Sequence, residues 1–475
     1  MAEKSIFKNY IFNAAYTILN MLVSIITIPH VSRVLMPEGV GQVAYAQNIV
    51  SYFTLIASLG IPNYGIREIA KNNKTIESRS KVFFEIFIIN SISTIFALVC
   101  YYLCIIKNEY FVDKKMYAIA GVALFLNFIN IDWLYRGIEE FQYITVRNGI
   151  IKILSMVCIW MFVNSQQDIY LYVWIVAITN GANYIFNILH VKKILVWVKI
   201  SSLQIRRHFK VIFLLFATAV AVEIYAQMDI TMIGLICGDT NVGYYSNTVK
   251  ITRIITVAIT AIGGVLLPRL SVYYQEKTLD RIKVLINKTI LFILFISIPC
   301  MAGLLQVSDD LVCVFLGEAF MPAASTLRIL SLLIPILSIG NIYGTQLMMV
   351  FGMEKFLTVT VLLGAVVNMV LNSFLIPVYQ QNGAATASVI TECIVMVSQY
   401  LFTRKYIKTT LHKSMIFKII IQTSSMMLAV ALVHRLDVGT IARLFLSIAV
   451  GGFVYIVVGF AIRNTLMKEI WNKIF

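Results

Sequence analysis

The sequence predicts an all-α polytopic membrane protein with about 14 transmembrane helices: two parallel six-helix halves around a central cavity, plus two C-terminal helices. Three observations predict it: long apolar runs recur with almost no charge, a stretch near the N-terminus returns later in the chain, and basic residues crowd into alternate loops. The chain is 59% apolar and 13% charged, with a mean hydropathy of +0.84, whereas a soluble domain carries roughly 25% charged residues. The runs approach the ~20 residues that cross ~30 Å of hydrocarbon. They are continuous, not alternating in ~10-residue strands, which excludes a β-barrel.

In chain order, the opening MAEKSIFKNY lacks a following cleavage-site pattern, so the first run, 11–33, reads as a retained signal-anchor helix. A short glycine turn leads to span 41–62, and the basic loop from Arg67 to Lys81 leads to 82–105. Spans 116–134, 145–164 and 168–190 complete a first group of six. After a basic segment, 192–210, come 211–235, 245–267, 284–306, 322–350, 357–377 and 383–403. Span 322–350 is long and holds Pro335, Gly340 and Gly344, so a tilt or kink is expected there. Spans 415–434 and 441–462 end the series.

An offset of 202 residues carries Val40 and Gly41 to Val242 and Gly243, and Arg67, Arg79 and Lys81 to Arg269, Arg281 and Lys283. A second offset, of 215, relates GIEEFQYITVRNG (137–149) to GMEKFLTVTVLLG (352–364). Two matches in the same order point to a duplicated half. Six spans separate the copies, and an even number restores direction, so the halves are expected to be parallel. The expected division is an N-terminal half (1–191), a cytoplasmic linker (192–210), a C-terminal half (211–405) and two additional helices (406–475). One side of the membrane collects 27 basic residues, among them Lys4, Lys8, Arg136, Arg147, Lys192 and Lys473, against 5 on the other. That asymmetry places both termini in the cytoplasm.

The net charge of +16 is explained by this orientation and not by nucleic-acid binding, because the basic residues lie in loops between apolar spans. The seven cysteines form no CxxC pair and approach no histidine cluster, so buried thiols are expected, not a metal site or disulfides. No Walker A motif, Ser-His-Asp constellation or HExxH occurs. No enzyme, cofactor or metal is therefore expected. Asp309-Asp310 reads as a solvated pair in an outer loop.

Polar residues at helical spacing inside apolar spans should face something other than lipid. Span 11–33 carries Asn13, Thr17, Asn20, Ser24, Thr27 and His30; span 41–62 carries Asn48, Ser51, Thr54 and Ser58. Span 211–235 holds Glu223, Gln227 and Thr231, and span 245–267 holds Asn247, Lys250, Arg253, Thr256 and Thr260. Small polar residues often only join helices; the charged members favour a cavity lining. Lys250, Arg253, Arg328 and Arg33 all fall towards the outer side, where they either snorkel to headgroups or form a cationic pocket for a diphosphate. Asn20, Ser24, Asn48, Ser51, Gln227, Asn247 and Thr256 are the candidate polar lining. Glu223, Asp229 and Glu392 are candidates for binding a driving H⁺ or Na⁺, with salt bridging the other role open to Asp229. Glu85 is a further acidic residue inside a span.

The opening FNAAYTILNMLVSIITIPHVSRVLMPEGVGQVAYAQNIVSYF resembles the start of Wzx-type polysaccharide flippases of the multidrug/oligosaccharidyl-lipid/polysaccharide exporter superfamily. GMEKFLTVTVLLGAVVNMVLNSFLIPVYQQNGAATASVITE resembles their C-terminal half, through Gly352, Asn368, Asn372, Pro377 and the GAA at 383–385. It departs from the family at QQNGAA, where a glycine often follows the tyrosine. The resemblance implies a bacterial inner-membrane flippase. It would move undecaprenyl-diphosphate-linked oligosaccharide repeat units by alternating access, coupled to H⁺ or Na⁺, for O-antigen, capsule or a related polymer. Its implied partners are the lipid bilayer and the polymerase and chain-length regulator of the same pathway. A multidrug/cation antiporter of the same superfamily and a membrane glycosyltransferase or polymerase remain as alternatives.

Overall fold

A computed structural model describes residues 2–191, 194–261, 263–464 and 466–467, with side chains placed except at 2–14, 200 and 265. The side chains of Lys4, Lys8, Asn13, Lys192 and Lys473 lie outside the described residues. Among the described residues, ten helical segments are long and apolar enough to cross a membrane, and the chain is all-α and polytopic. It divides into two compact units, 1–231 and 232–475.

In the first unit, α1 (Ala2–Ser58) merges the first two expected spans across a break at Met36, where φ is 60° and ψ 173°. Pro37 follows; its ring restricts the preceding residue and removes an amide donor, which turns the chain back. Then come α2 (Ile61–Lys71) and α3 (Ile76–Tyr101), the latter started by Thr75, whose hydroxyl accepts from the Ser78 amide at 3.2 Å. The expected continuous span 116–134 is broken into α4 (Lys114–Ala120), α5 (Val122–Leu126) and α6 (Asp132–Gly137). Buried asparagines account for the break. Asn90 donates to the Asn127 carbonyl at 3.0 Å, and Asn127 donates to Thr94 Oγ1 at 3.2 Å, so side chains satisfy backbone that leaves the helix. The unit continues through α7 (Phe141–Phe162), α8 (Ile169–Val191) and α9 (Arg206–Cys237) up to Thr231. Its core gathers Ile69, Ile86, Trp133, Leu134 and Tyr135.

Arg147, counted above among loop cations, instead lies 6% exposed on α7. It pairs with Asp132 at 3.1 Å and donates to Asn187, whose carbonyl accepts from the Tyr135 hydroxyl at 2.6 Å. The linker preceding α9 is fastened to α3. Arg79 donates to the Ile194 carbonyl at 2.5 Å, Ser80 Oγ accepts from the Val196 amide at 3.0 Å, and Trp197 stacks on Phe84.

The second unit contains α10 (Asp239–Thr260), α11 (Gly263–Gln275), α12 (Leu279–Phe315), α13 (Ala323–Ser331), α14 (Leu333–Asn341), α15 (Glu354–Thr403), α16 (Lys413–Val433) and α17 (Thr440–Ala461). Span 245–267 is thus two helices, broken near Ala261. Span 322–350 is interrupted as expected, by the α13–α14 junction and a π-helical stretch over Ile342–Met348. The pair α16 and α17 rests on α12, where the Tyr455 hydroxyl donates to the Phe295 carbonyl at 2.7 Å.

Asp309 and Asp310 are not in a loop but in the last turns of α12. Asp310, 2% exposed, takes a two-pronged pairing from Arg443 on α17, at 2.5 and 2.8 Å. The cysteines are mostly half-buried and Cys104 is exposed, because they face outward from apolar spans. The 202-residue offset places Met36 in register with Gly238. Gly238 has φ 82° and ψ 178°, so the chain breaks at both positions with nearly the same backbone geometry.

Candidate functional site

In the first unit, the second limb of α1 meets α9 through a run of side-chain hydrogen bonds. Thr231 Oγ1 donates to Asn48 Oδ1 at 2.8 Å, so the Tyr52 hydroxyl, 2.8 Å away, must donate to Thr231. Asn48 Nδ2 donates to the backbone carbonyl and to Oε1 of Gln227, both at 3.0 Å. Gln227 Nε2 then donates to Glu223 Oε1 at 3.1 Å. The donors point one way and end on a carboxylate. The spacing is helical on both sides, with Asn48 and Tyr52 on α1 and Glu223, Gln227 and Thr231 on α9 each four residues apart.

Glu223 makes no ion pair among the described residues and is half-buried. It faces a cavity of about 440 Å³, into which Ser51, Thr54, Ser58, Asn180 and Tyr184 also project. The structure thus brings Asn48, Ser51, Gln227 and Glu223 together. It leaves Asn20 and Ser24 further along α1, where Asn20 Nδ2 donates to the Tyr16 carbonyl at 3.0 Å and Ser24 Oγ to the Asn20 carbonyl at 2.8 Å. Arg33 is exposed on α1 and Asp229 half-buried on α9.

In the second unit, the polar residues of α10 divide between two environments. Asn247 (2% exposed) and Thr256 (7%) are buried, the latter donating to the Thr252 carbonyl at 2.9 Å. Lys250 and Arg253 are exposed, and Lys250 Nζ donates to Asn247 Oδ1 at 3.3 Å. Neither cation makes an ion pair among the described residues. Helix α10 falls outside the ten segments apolar enough to span, as suits a helix with one face not meant for lipid. Arg328 on α13 pairs with Asp309, and Glu392 is half-buried on α15.

Sequence reading did not single out Tyr52, Asn180 or Tyr184 around the first-unit cavity. Only Tyr52 carried a signal, a four-residue step from Asn48, which had been chosen. Nor did it single out Lys152, a cation inside span 145–164.

These features define the chain as a multi-pass membrane protein with polar and charged residues built into its helices. The fold is that of a solved lipid II flippase MurJ in an inward closed conformation, with a TM-score of 0.76 at 15% identity over 97% of this chain and 100% of that one. An inward-facing multidrug resistance MATE family transporter of the MOP superfamily superposes with a TM-score of 0.61 at 14% identity, over 82% of this chain and 94% of that one. The family model described as "Polysaccharide biosynthesis protein" matches residues 6–274, more than half of the chain, and the chain belongs to that family. It is similar to a "Putative O-antigen transporter" of Escherichia coli (strain K12), at 24% identity over 84% of this chain and 97% of that protein. It is also similar to a "Probable low-salt glycan biosynthesis flippase Agl15" of Haloferax volcanii, at 25% identity over 52% of this chain and 53% of that protein.

Proposed function

We propose that this chain is a flippase for lipid-linked oligosaccharides in a bacterial inner membrane, with both termini cytoplasmic. Its cargo would be an undecaprenyl-diphosphate-linked repeat unit, moved by alternating access. The observation that carries the reading is the pair Lys250 and Arg253: two cations three residues apart on one helix, both exposed, with no ion pair among the described residues. A compact ammonium beside a planar guanidinium suits a diphosphate, which takes bidentate and point-charge contacts together. The names of the relatives, an O-antigen transporter and a glycan flippase, support the same cargo class. A cationic drug would meet repulsion at this pair, which favours the flippase over a multidrug antiporter. Glu223 supports ion coupling: a carboxylate facing a cavity, with an amide donor and no paired cation among the described residues, is built to take up H⁺ or Na⁺.

The test replaces both Lys250 and Arg253 by Ala in cells that depend on this chain for surface polymer. The expected outcome is loss of surface polymer with lipid-linked repeat units retained on the cytoplasmic side. Normal polymer with the double variant present at normal abundance would overturn the assignment.

A further inference from the structure

Lys152 lies near the middle of α7, about 15 Å along the axis from either end. A lysine stem reaches roughly 6 Å, so its ammonium cannot snorkel clear of the span. The side it occupies is informative. The exposed apolar stripe of α7 runs through Val146, Ile150, Ile153, Leu154, Val157 and Met161. At 100° per residue, Lys152 projects about 140° from the centre of that stripe, on the side shared with buried Gly149 and Ile159. It therefore faces protein and not lipid, yet it stays half-buried, with no hydrogen bond or ion pair among the described residues.

Helix α7 packs against both α1 and α8, and α1 fixes the level of Lys152. A methyl group at Gly149 would meet Leu19 Cδ2 at 3.0 Å. Nearer the other end of α7, His30 Nε2 lies 2.9 Å from the Val163 carbonyl and the His30 ring stacks on Trp160. These contacts set the register of the two helices and put Lys152 at the level of α1 between Asn20 and Ser24. Both of those residues direct a hydrogen at their own helix, so Asn20 Oδ1 and the Ser24 oxygen keep acceptor capacity at this level. A cation held inside a span, turned from lipid and left unpaired, is a binding group awaiting an anion.

We propose that Lys152 binds a phosphate oxygen of a lipid-borne anion within the first unit, and that the anion is the diphosphate of the cargo. The inference rests on the flippase reading and adds to it a contact on α7, apart from Lys250 and Arg253. Two sources share this chemistry: the diphosphate of the carrier lipid and the phosphodiester of bulk anionic phospholipid.

The test uses the full chain in lipid nanodiscs and measures binding of undecaprenyl diphosphate and, separately, of phosphatidylglycerol. Lys152→Met is expected to weaken undecaprenyl diphosphate binding about tenfold and Lys152→Arg to restore it to within about threefold. Phosphatidylglycerol binding should change little. An unpaired cation adds nothing to the resting fold, so Lys152→Met should melt at the same temperature as the parent or higher. Three results would overturn the proposal: unchanged diphosphate affinity in the Met variant, a loss confined to phosphatidylglycerol, or a lower melting temperature with no rescue by Arg. If the parent chain itself binds no undecaprenyl diphosphate, the cargo reading fails as well. If the parent binds and the Met variant matches it, only the role of Lys152 fails.

Discussion

Replacing Glu85 by Gln should release the segment that leads into α9. Glu85 on α3 is fully buried. Its carboxylate accepts from the Gln204 amide at 2.6 Å, from Arg207 at 2.5 and 3.1 Å, and lies 2.7 Å from His208 Nε2. His208, 1% exposed, holds the Tyr64 hydroxyl through its other ring nitrogen at 2.5 Å. A glutamine would turn an amide donor towards the donors of Arg207 and His208. Removing one partner of a fully buried pair costs about 3–5 kcal/mol. Here Arg207 is 45% exposed, so water takes over part of its share and the figure must be discounted. What remains is the buried His208 contact and the Gln204 amide, which brings the expected cost to about 2–3 kcal/mol. Since about 1.4 kcal/mol is tenfold, local opening should become about 30 to 150 times more frequent. Hydrogen–deuterium exchange over residues 196–208 reads this directly, because the Val196 and Gln204 amides bond to Ser80 and Glu85. Exchange on α7 should stay as it was. Equal protection of 196–208 in the Glu85→Gln and parent chains would refute the reasoning.

Two further outcomes are expected. Glu223→Gln preserves shape and removes the charge, so transport driven by an ion gradient should be lost while undecaprenyl diphosphate binding stays within about threefold; unchanged ion dependence would return Glu223 to a packing role. Gln380 holds φ 52° and ψ −133°, a conformation that side chains resist. Gln380→Gly should therefore stabilise the second unit by about 1 kcal/mol and raise its melting temperature by roughly 2–4 °C; a lowered melting temperature would count against strain at this corner.

How much could be read in advance depended on how local the cause was. Apolar length is local, and most of the spans were legible from it. The departure at QQNGAA was legible too: Gln380 occupies the position after the tyrosine where the family often has glycine, and its backbone takes the left-handed form that glycine favours. Long-range pairing was not legible. The break near Asn127 depends on Asn90 and Thr94 on another helix. Arg147 looked like a loop cation because its partners, Asp132 and Asn187, come from two different elements. Asp310 looked solvated because Arg443, which shields it, lies 133 residues away. At the candidate site, the four-residue steps of α1 and α9 pointed to Asn48, Gln227 and Glu223. Which neighbour each would bond was settled only by how the helices meet.

The shared corner at Met36 and Gly238 has a mechanical consequence. Glycine holds such a bend without penalty, whereas methionine, followed here by Pro37, is strained by it. The corner at Gly238 is therefore a relaxed joint and the one at Met36 a loaded one. Any motion that straightens the chain at residue 36 releases energy that the matching motion at residue 238 does not, so the two corners are not mechanical equals.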